Sequence, residues 1–175
     1  MKSFVRFGLS TGSLVGLWNL SCFTIVGWIN KILSLGIPAA RIRAYSGLFG
    51  LLILILGIYL GVNEVKRKNN KLITYGKAIK TGISISLISA IIVAFFGFIY
   101  CTVINPGYQE YMVKEAETAM IAAKKTPEEI GQQLIKVKSY FSTGSQVLQA
   151  LIVQSVVGTI GSLIIGIFLR TKKSA

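Results

Sequence analysis

Residues 79–103 read IKTGISISLISAIIVAFFGFIYCTV, and after Lys80 no charged residue interrupts them. A run of about 20 apolar residues is what carries a helix across the hydrocarbon of a bilayer, where every backbone N–H and C=O has to be satisfied within the segment. The run predicts a membrane-spanning helix, with Lys77 and Lys80 at its start lifting their ammonium groups to the interface. Working outward, residues 7–29, 45–62 and 147–169 are also uncharged and about as long. The expected fold is therefore an all-α membrane protein over residues 1–175: four transmembrane helices as one domain, with an extracytoplasmic helical hairpin at about 105–145 between helices 3 and 4.

Composition points the same way. The chain is 53% hydrophobic and only 14% charged, against roughly a quarter charged in ordinary soluble domains. Its net charge of +13 raises nucleic acid as a partner, since cationic surfaces gain affinity by releasing phosphate counterions. The placement of the charge excludes it. Lys and Arg sit beside the ends of the apolar runs, and no stacking platform of interleaved arginines and aromatics is present. The expected partners are the lipid bilayer, anionic lipid at the basic face, and a second copy or another membrane protein, with no nucleic acid.

The basic residues also orient the chain. Lys2, Arg6, Lys66, Arg67, Lys68, Lys71, Lys77, Lys80, Arg170, Lys172 and Lys173 fall on the side that holds both termini, next to the spans and nearly unopposed by acid. Lys31, Arg41, Arg43, Lys114, Lys124, Lys125, Lys136 and Lys138 fall on the other, most of them far from the spans and among glutamates. The positive-inside rule then puts both termini in the cytoplasm. Trp28, Tyr45 and Tyr100 suit one interfacial belt and Tyr59 and Tyr75 the other. Gly36-Ile37-Pro38 supplies the turn between the first two spans, because proline removes a donor and restricts its predecessor.

Within the external segment, Asn105 is expected to cap a helix with Pro106 at its first position. Thr126-Pro127-Glu128-Glu129 predicts a second helix through a capping box, Thr126 and Glu129 each bonding the other's backbone N–H. Ile130, Leu134, Val137 and Phe141 then recur at helical spacing as one apolar stripe. That stripe either packs on the first half, whose Tyr108, Met112, Ala116, Met120 and Ala123 share a face, or offers a surface to a partner or to the outer leaflet.

Small residues recur every fourth position in each span. Gly8, Gly12 and Gly16 do so in the first, Gly57 and Gly61 in the second, Ala78, Gly82, Ser86, Ala90 and Ala94 in the third, and Gly158, Ser162 and Gly166 in the fourth. Lipid gives helices no hydrophobic reason to associate, so such faces serve close backbone packing, within one bundle or, at Gly8/Gly12/Gly16, between two copies. The polar residues inside the spans, among them Asn19, Ser84, Ser86, Ser89, Gln149 and Gln154, include no ionisable group, which disfavours a proton-coupled pump. Asn19 and Gln154 are expected to hydrogen-bond across helices.

Catalytic parts are missing. With no histidine and no aspartate, triads and zinc or calcium sites lack their members, and no phosphate-binding glycine loop follows a strand. No catalytic residue, metal or cofactor is expected, and Cys22 and Cys101 read as small apolar packing residues.

The glycine-rich first helix, Tyr75-Gly76-Lys77-Ala78-Ile79-Lys80-Thr81-Gly82, and Val103-Ile104-Asn105-Pro106-Gly107-Tyr108 together resemble the domain of unknown function 4199 family of bacterial membrane proteins. Lys77 departs from the acidic residue that the pattern leads one to expect. The resemblance implies a four-span layout in the bacterial inner membrane and brings no activity or ligand. The expected function is a non-enzymatic accessory, assembly or scaffold protein acting through helix and hairpin contacts, with a small oligomeric channel or transporter as the alternative.

Overall fold

The computed structural model of the chain describes residues 2–33 and 37–171. Gly36, Lys172 and Lys173, used above for the turn and for orientation, lie outside the described residues. All regular structure among the described residues is helical. Helix α1 (Ser3–Ser21) continues through a π segment, π1 (Cys22–Val26), into α2 (Gly27–Ile32). After it come α3 (Ala39–Lys68), α4 (Tyr75–Ile99) with a second π segment, π2 (Tyr100–Ile104), then α5 (Tyr108–Ala122), α6 (Pro127–Tyr140) and α7 (Thr143–Leu169).

Three helices are long and apolar enough to cross a membrane: Arg41–Lys68, Tyr75–Ile104 and Thr143–Leu169. Each outruns the apolar stretch that marks it. In α3 the extra turns carry Glu64 and Lys66–Lys68, which remain helical while their charged heads reach solvent. Thr74 and Ser142 set the starts of α4 and α7, their side chains accepting from the N–H of Lys77 and Ser145. Helix α1 is not among these three; Arg6, Gly8, Ser10, Thr11, Gly12, Ser13, Gly16 and Asn19 make it less apolar than α4 and α7.

Helix α1 nonetheless runs alongside α4 and α3 and touches both ends of the bundle. Near its start, the Ser3 hydroxyl receives the Lys68 ammonium at 3.2 Å. Beyond its end, the Phe23 ring lies 5.5 Å from that of Tyr100. The chain's C-terminal end is tied to the first of these places, Thr171 N–H donating to Ile73 O at 2.9 Å and Ile73 N–H to Thr171 Oγ1 at 3.0 Å. The α3–α4 connection and both ends of the described chain therefore share one end of the bundle, the termini end. Helices α5 and α6 stand at the other, the hairpin end. The main core lies toward the termini end, where Leu54, Ile58, Val62, Ala78, Ile85 and Ile165 are buried together.

Two expectations are corrected. Asn105 does not cap a helix. It ends π2, turns its Nδ2 back to Tyr100 Oη at 3.1 Å, and leaves α5 to begin at Tyr108 after Gly107. Tyr100 does not sit in an interfacial belt either, because its ring is buried against Tyr108 and Phe23. The Thr126–Glu129 capping box is present as expected, with Pro127 in the first turn.

Candidate functional site

The small residues are distributed over seams between helices of the same chain. A Cβ added at Gly8 would stand 2.7 Å from Ile88 Cβ, and at Gly12 2.8 Å from Ile92 Cβ and 2.9 Å from the Ser89 backbone. Gly16 meets the Phe96 ring. The Gly8/Gly12/Gly16 face, one candidate for contact between two copies, is thus filled by α4 of its own chain. Helices α4 and α7 interlock reciprocally. Gly82 faces Ser162 and Gly158 faces Ser86, each serine occupying the space that the opposite glycine leaves. The buried hydroxyls are satisfied by carbonyls, Ser86 Oγ donating to Gly82 O, Ser162 Oγ to Gly158 O, and Ser89 Oγ across the seam to Gly8 O at 3.0 Å. Asn19 also bridges helices, accepting from Ser46 Oγ at 2.8 Å, beside a bond from Trp18 Nε1 to Ser46 O.

In the hairpin, Ile130, Leu134, Val137 and Phe141 are half-buried on α6, and α5 packs against α6 with Met112 and Met120 buried. The exposed apolar side chains lie elsewhere, with Ile135 74% and Ile121 60% exposed. Gln109 Nε2 donates to Lys138 O across the two helices at 2.7 Å. Glu129 receives the Thr126 N–H and hydroxyl, which holds its carboxyl below the usual range.

The hairpin is fastened to the bundle by Arg43. Its guanidinium donates to Tyr108 Oη at 2.9 Å and to Gln149 Oε1 at 3.4 Å, and stands 5.5 Å from the centre of the Phe141 ring. Gln149 in turn donates through Nε2 to Tyr140 O at 3.1 Å. Tyr108 is kept neutral, because burial pushes its phenol up, against the opposing pull of Arg43. Among the described residues the ion pairs are Arg6–Glu64 and Lys68–Glu64, both at the termini end, so no carboxylate compensates Arg43.

Beneath this clasp, between α1, α3, α4 and α7, lies a cavity of about 320 Å³. Asn19, Arg43, Gln149 and Gln154 contribute its polar groups, while Phe23, Leu51, Val93 and Phe96 supply apolar wall. Both π segments border it, through Phe23 on one side and Tyr100 and Cys101 on the other. Such segments insert an extra residue into a helix and are frequent at functional sites. Gln154 is 5% exposed and its Oε1 has no hydrogen-bond partner, so the cross-helix bond expected of it is not made through that oxygen.

No cluster of three or more His, Cys, Asp or Glu gathers among the described residues, and Cys22 and Cys101 are free and half-buried. Sequence reasoning missed Arg43, whose partners lie 65 and 106 positions away, and missed the cavity. One signal was present: Gly97 falls off the fourfold register of Ala78, Gly82, Ser86, Ala90 and Ala94.

Compared with known proteins, the chain matches one family model, described as a protein of unknown function (DUF4199), over residues 6–171. No curated protein and no solved structure matches it.

Proposed function

The chain belongs to the DUF4199 family, and from that premise we propose that it is a four-span, non-enzymatic membrane protein that serves as an accessory or assembly subunit through its hairpin end. The observation that carries the reading is the Arg43 clasp. An external hairpin serving only as a connection has no need of a fixed orientation, whereas this one is tied to the bundle by hydrogen bonds to Tyr108 and Gln149 and by the Phe141 ring. A fixed hairpin presents Ile121 and Ile135 to a partner without further ordering cost.

Helix α1 is the fourth span in this reading. It joins the same two ends as α4, and its glycine face, buried against α4, leaves Leu9, Leu14 and Leu17 exposed to lipid. The termini end carries Lys2, Arg6, Lys66, Arg67, Lys68 and Lys71 and so faces the cytoplasm, where anionic lipid meets it, in a bacterial inner membrane. The channel alternative needs the α4 hydroxyls to line a path, and Ser86 and Ser89 are fully buried with their hydroxyls on carbonyls.

Replacing residues 106–140 by a flexible linker tests the proposal. Partner capture from detergent-solubilised membranes should disappear, and an unchanged partner set would sink it. Proteoliposomes holding the intact protein should pass no small ions.

A further inference from the structure

The cavity under the hairpin is made by withheld side chains. Gly47 and Gly97 both line it, and a Cβ added at either would meet nothing within 4 Å. Neither has a left-handed backbone, and a glycine inside a helix is destabilising relative to alanine. Contact therefore does not dictate these two glycines as it does Gly8, Gly12, Gly82 and Gly158. On α4 and π2 the lining residues Val93, Phe96, Tyr100 and Cys101 share the face of Gly97, and on α3 Arg43, Gly50 and Leu51 share that of Gly47, at helical spacing. Gly97 and Gly47 thus leave space at its wall that a side chain would take.

Its polar groups are incomplete. Arg43 carries five N–H donors, yet its side-chain partners are a neutral phenol and an amide, and no carboxylate compensates it among the described residues. Gln154 also lines the wall; it is 5% exposed, and its unpaired Oε1 is shielded from the open space. Apolar wall from Phe23, Leu51 and Phe96 lies among these groups, and a volume near 300 Å³ is the lower range of ligand pockets.

We propose that the cavity binds a small anionic amphiphile, with a carboxylate or phosphate oxygen at Arg43 and an apolar chain against Phe23, Leu51 and Phe96. The ligand is either a free acid or the end of a bilayer phospholipid. This stands independently of the assembly role.

The test uses the full chain in a neutral maltoside detergent, with 3-hydroxydodecanoate, dodecanoate and dodecanol as probes in titration calorimetry. The hydroxy acid should bind saturably, at least tenfold tighter than dodecanol. Arg43→Gln should erase the preference for acid over alcohol. Gly97→Leu should abolish binding with an unchanged melting temperature, which keeps the test sound even where Arg43→Gln loosens the hairpin. For a lipid source, native mass spectrometry of protein from phosphatidylglycerol nanodiscs should show the lipid retained by the wild type, released by the hydroxy acid, and missing in Gly97→Leu. Equal binding of dodecanol and the acids overturns the proposal. So does undiminished binding by Gly97→Leu, and so does the lack of saturable binding by both the acids and phosphatidylglycerol.

Discussion

Two sets of glycines in the bundle are used to opposite effect. Toward the termini end Gly57, Gly61, Gly82 and Gly158 are spaces already filled, each by a named side chain of a neighbouring helix. Toward the hairpin end Gly47 and Gly97 are spaces left empty around Arg43 and Gln154. In a bilayer, where dispersion contacts and interhelical hydrogen bonds replace the hydrophobic drive between helices, the first pattern holds the fold together. The second forgoes contacts and only makes sense for something else to occupy. The residue type is the same, and what it faces decides its role.

The largest effect should come from forcing the filled spaces. Gly12→Leu drives a side chain into the Ser89 backbone and Ile92, so α1 and α4 must separate, at about 3 kcal/mol of stability. Thermal unfolding followed by far-ultraviolet circular dichroism in detergent reads the loss. An unaffected melting temperature would break the comparison at its closed end.

Next comes the hairpin, which should behave as a local unit. Thr126→Ala removes the cap of α6, worth about 1 kcal/mol to that helix. Amide exchange over residues 127–140 should quicken while the bundle's melting stays put. The same helix should respond to pH. The Glu129 carboxyl is held below its ordinary value in the folded state, so its support is present above that ordinary value and is lost as pH falls through the lowered one. The protection of α6 amides, after correction for the intrinsic pH dependence of exchange, should therefore be lower at pH 3 than at pH 7, and Glu129→Gln should flatten the difference.

A smaller loss, about 0.6 kcal/mol, is expected for Ser46→Ala, which deletes the cross-helix bond to Asn19. The smallest effect belongs to the open glycines. Gly97→Leu should leave the stability within about 1 kcal/mol of wild type and can raise it, since leucine is the better helix former. A loss as large as that of Gly12→Leu would show that the two sets do not differ after all.

Much of this was legible from sequence because it is periodic or local. Apolar runs locate the helices by length, Thr126-Pro127-Glu128-Glu129 announces its own helix, and the fourfold spacing of small residues marks faces that can approach closely. What resisted reading depends on partners distant in the chain. Arg43 looks like one more cation near a membrane end until Tyr108, Phe141 and Gln149 are folded around it. Asn105 before proline has the composition of a cap, but Tyr100 competes for its side chain and wins. Sequence also counts every glycine alike, so Gly97 and Gly82 separate only when their neighbours are known.

The dependence of α1 on α4 has a consequence for biosynthesis. Helix α1 is less apolar than α4 and α7 and its seam is complementary to Ile88, Ser89, Ile92 and Phe96, none of which yet exists when α1 emerges. At about 5–20 residues per second, some 4–16 s of translation separate Ser21 from Ile99. For that interval the Gly8/Gly12/Gly16 face waits for its partner, while Thr11 meets Gly57 as soon as α3 has been made.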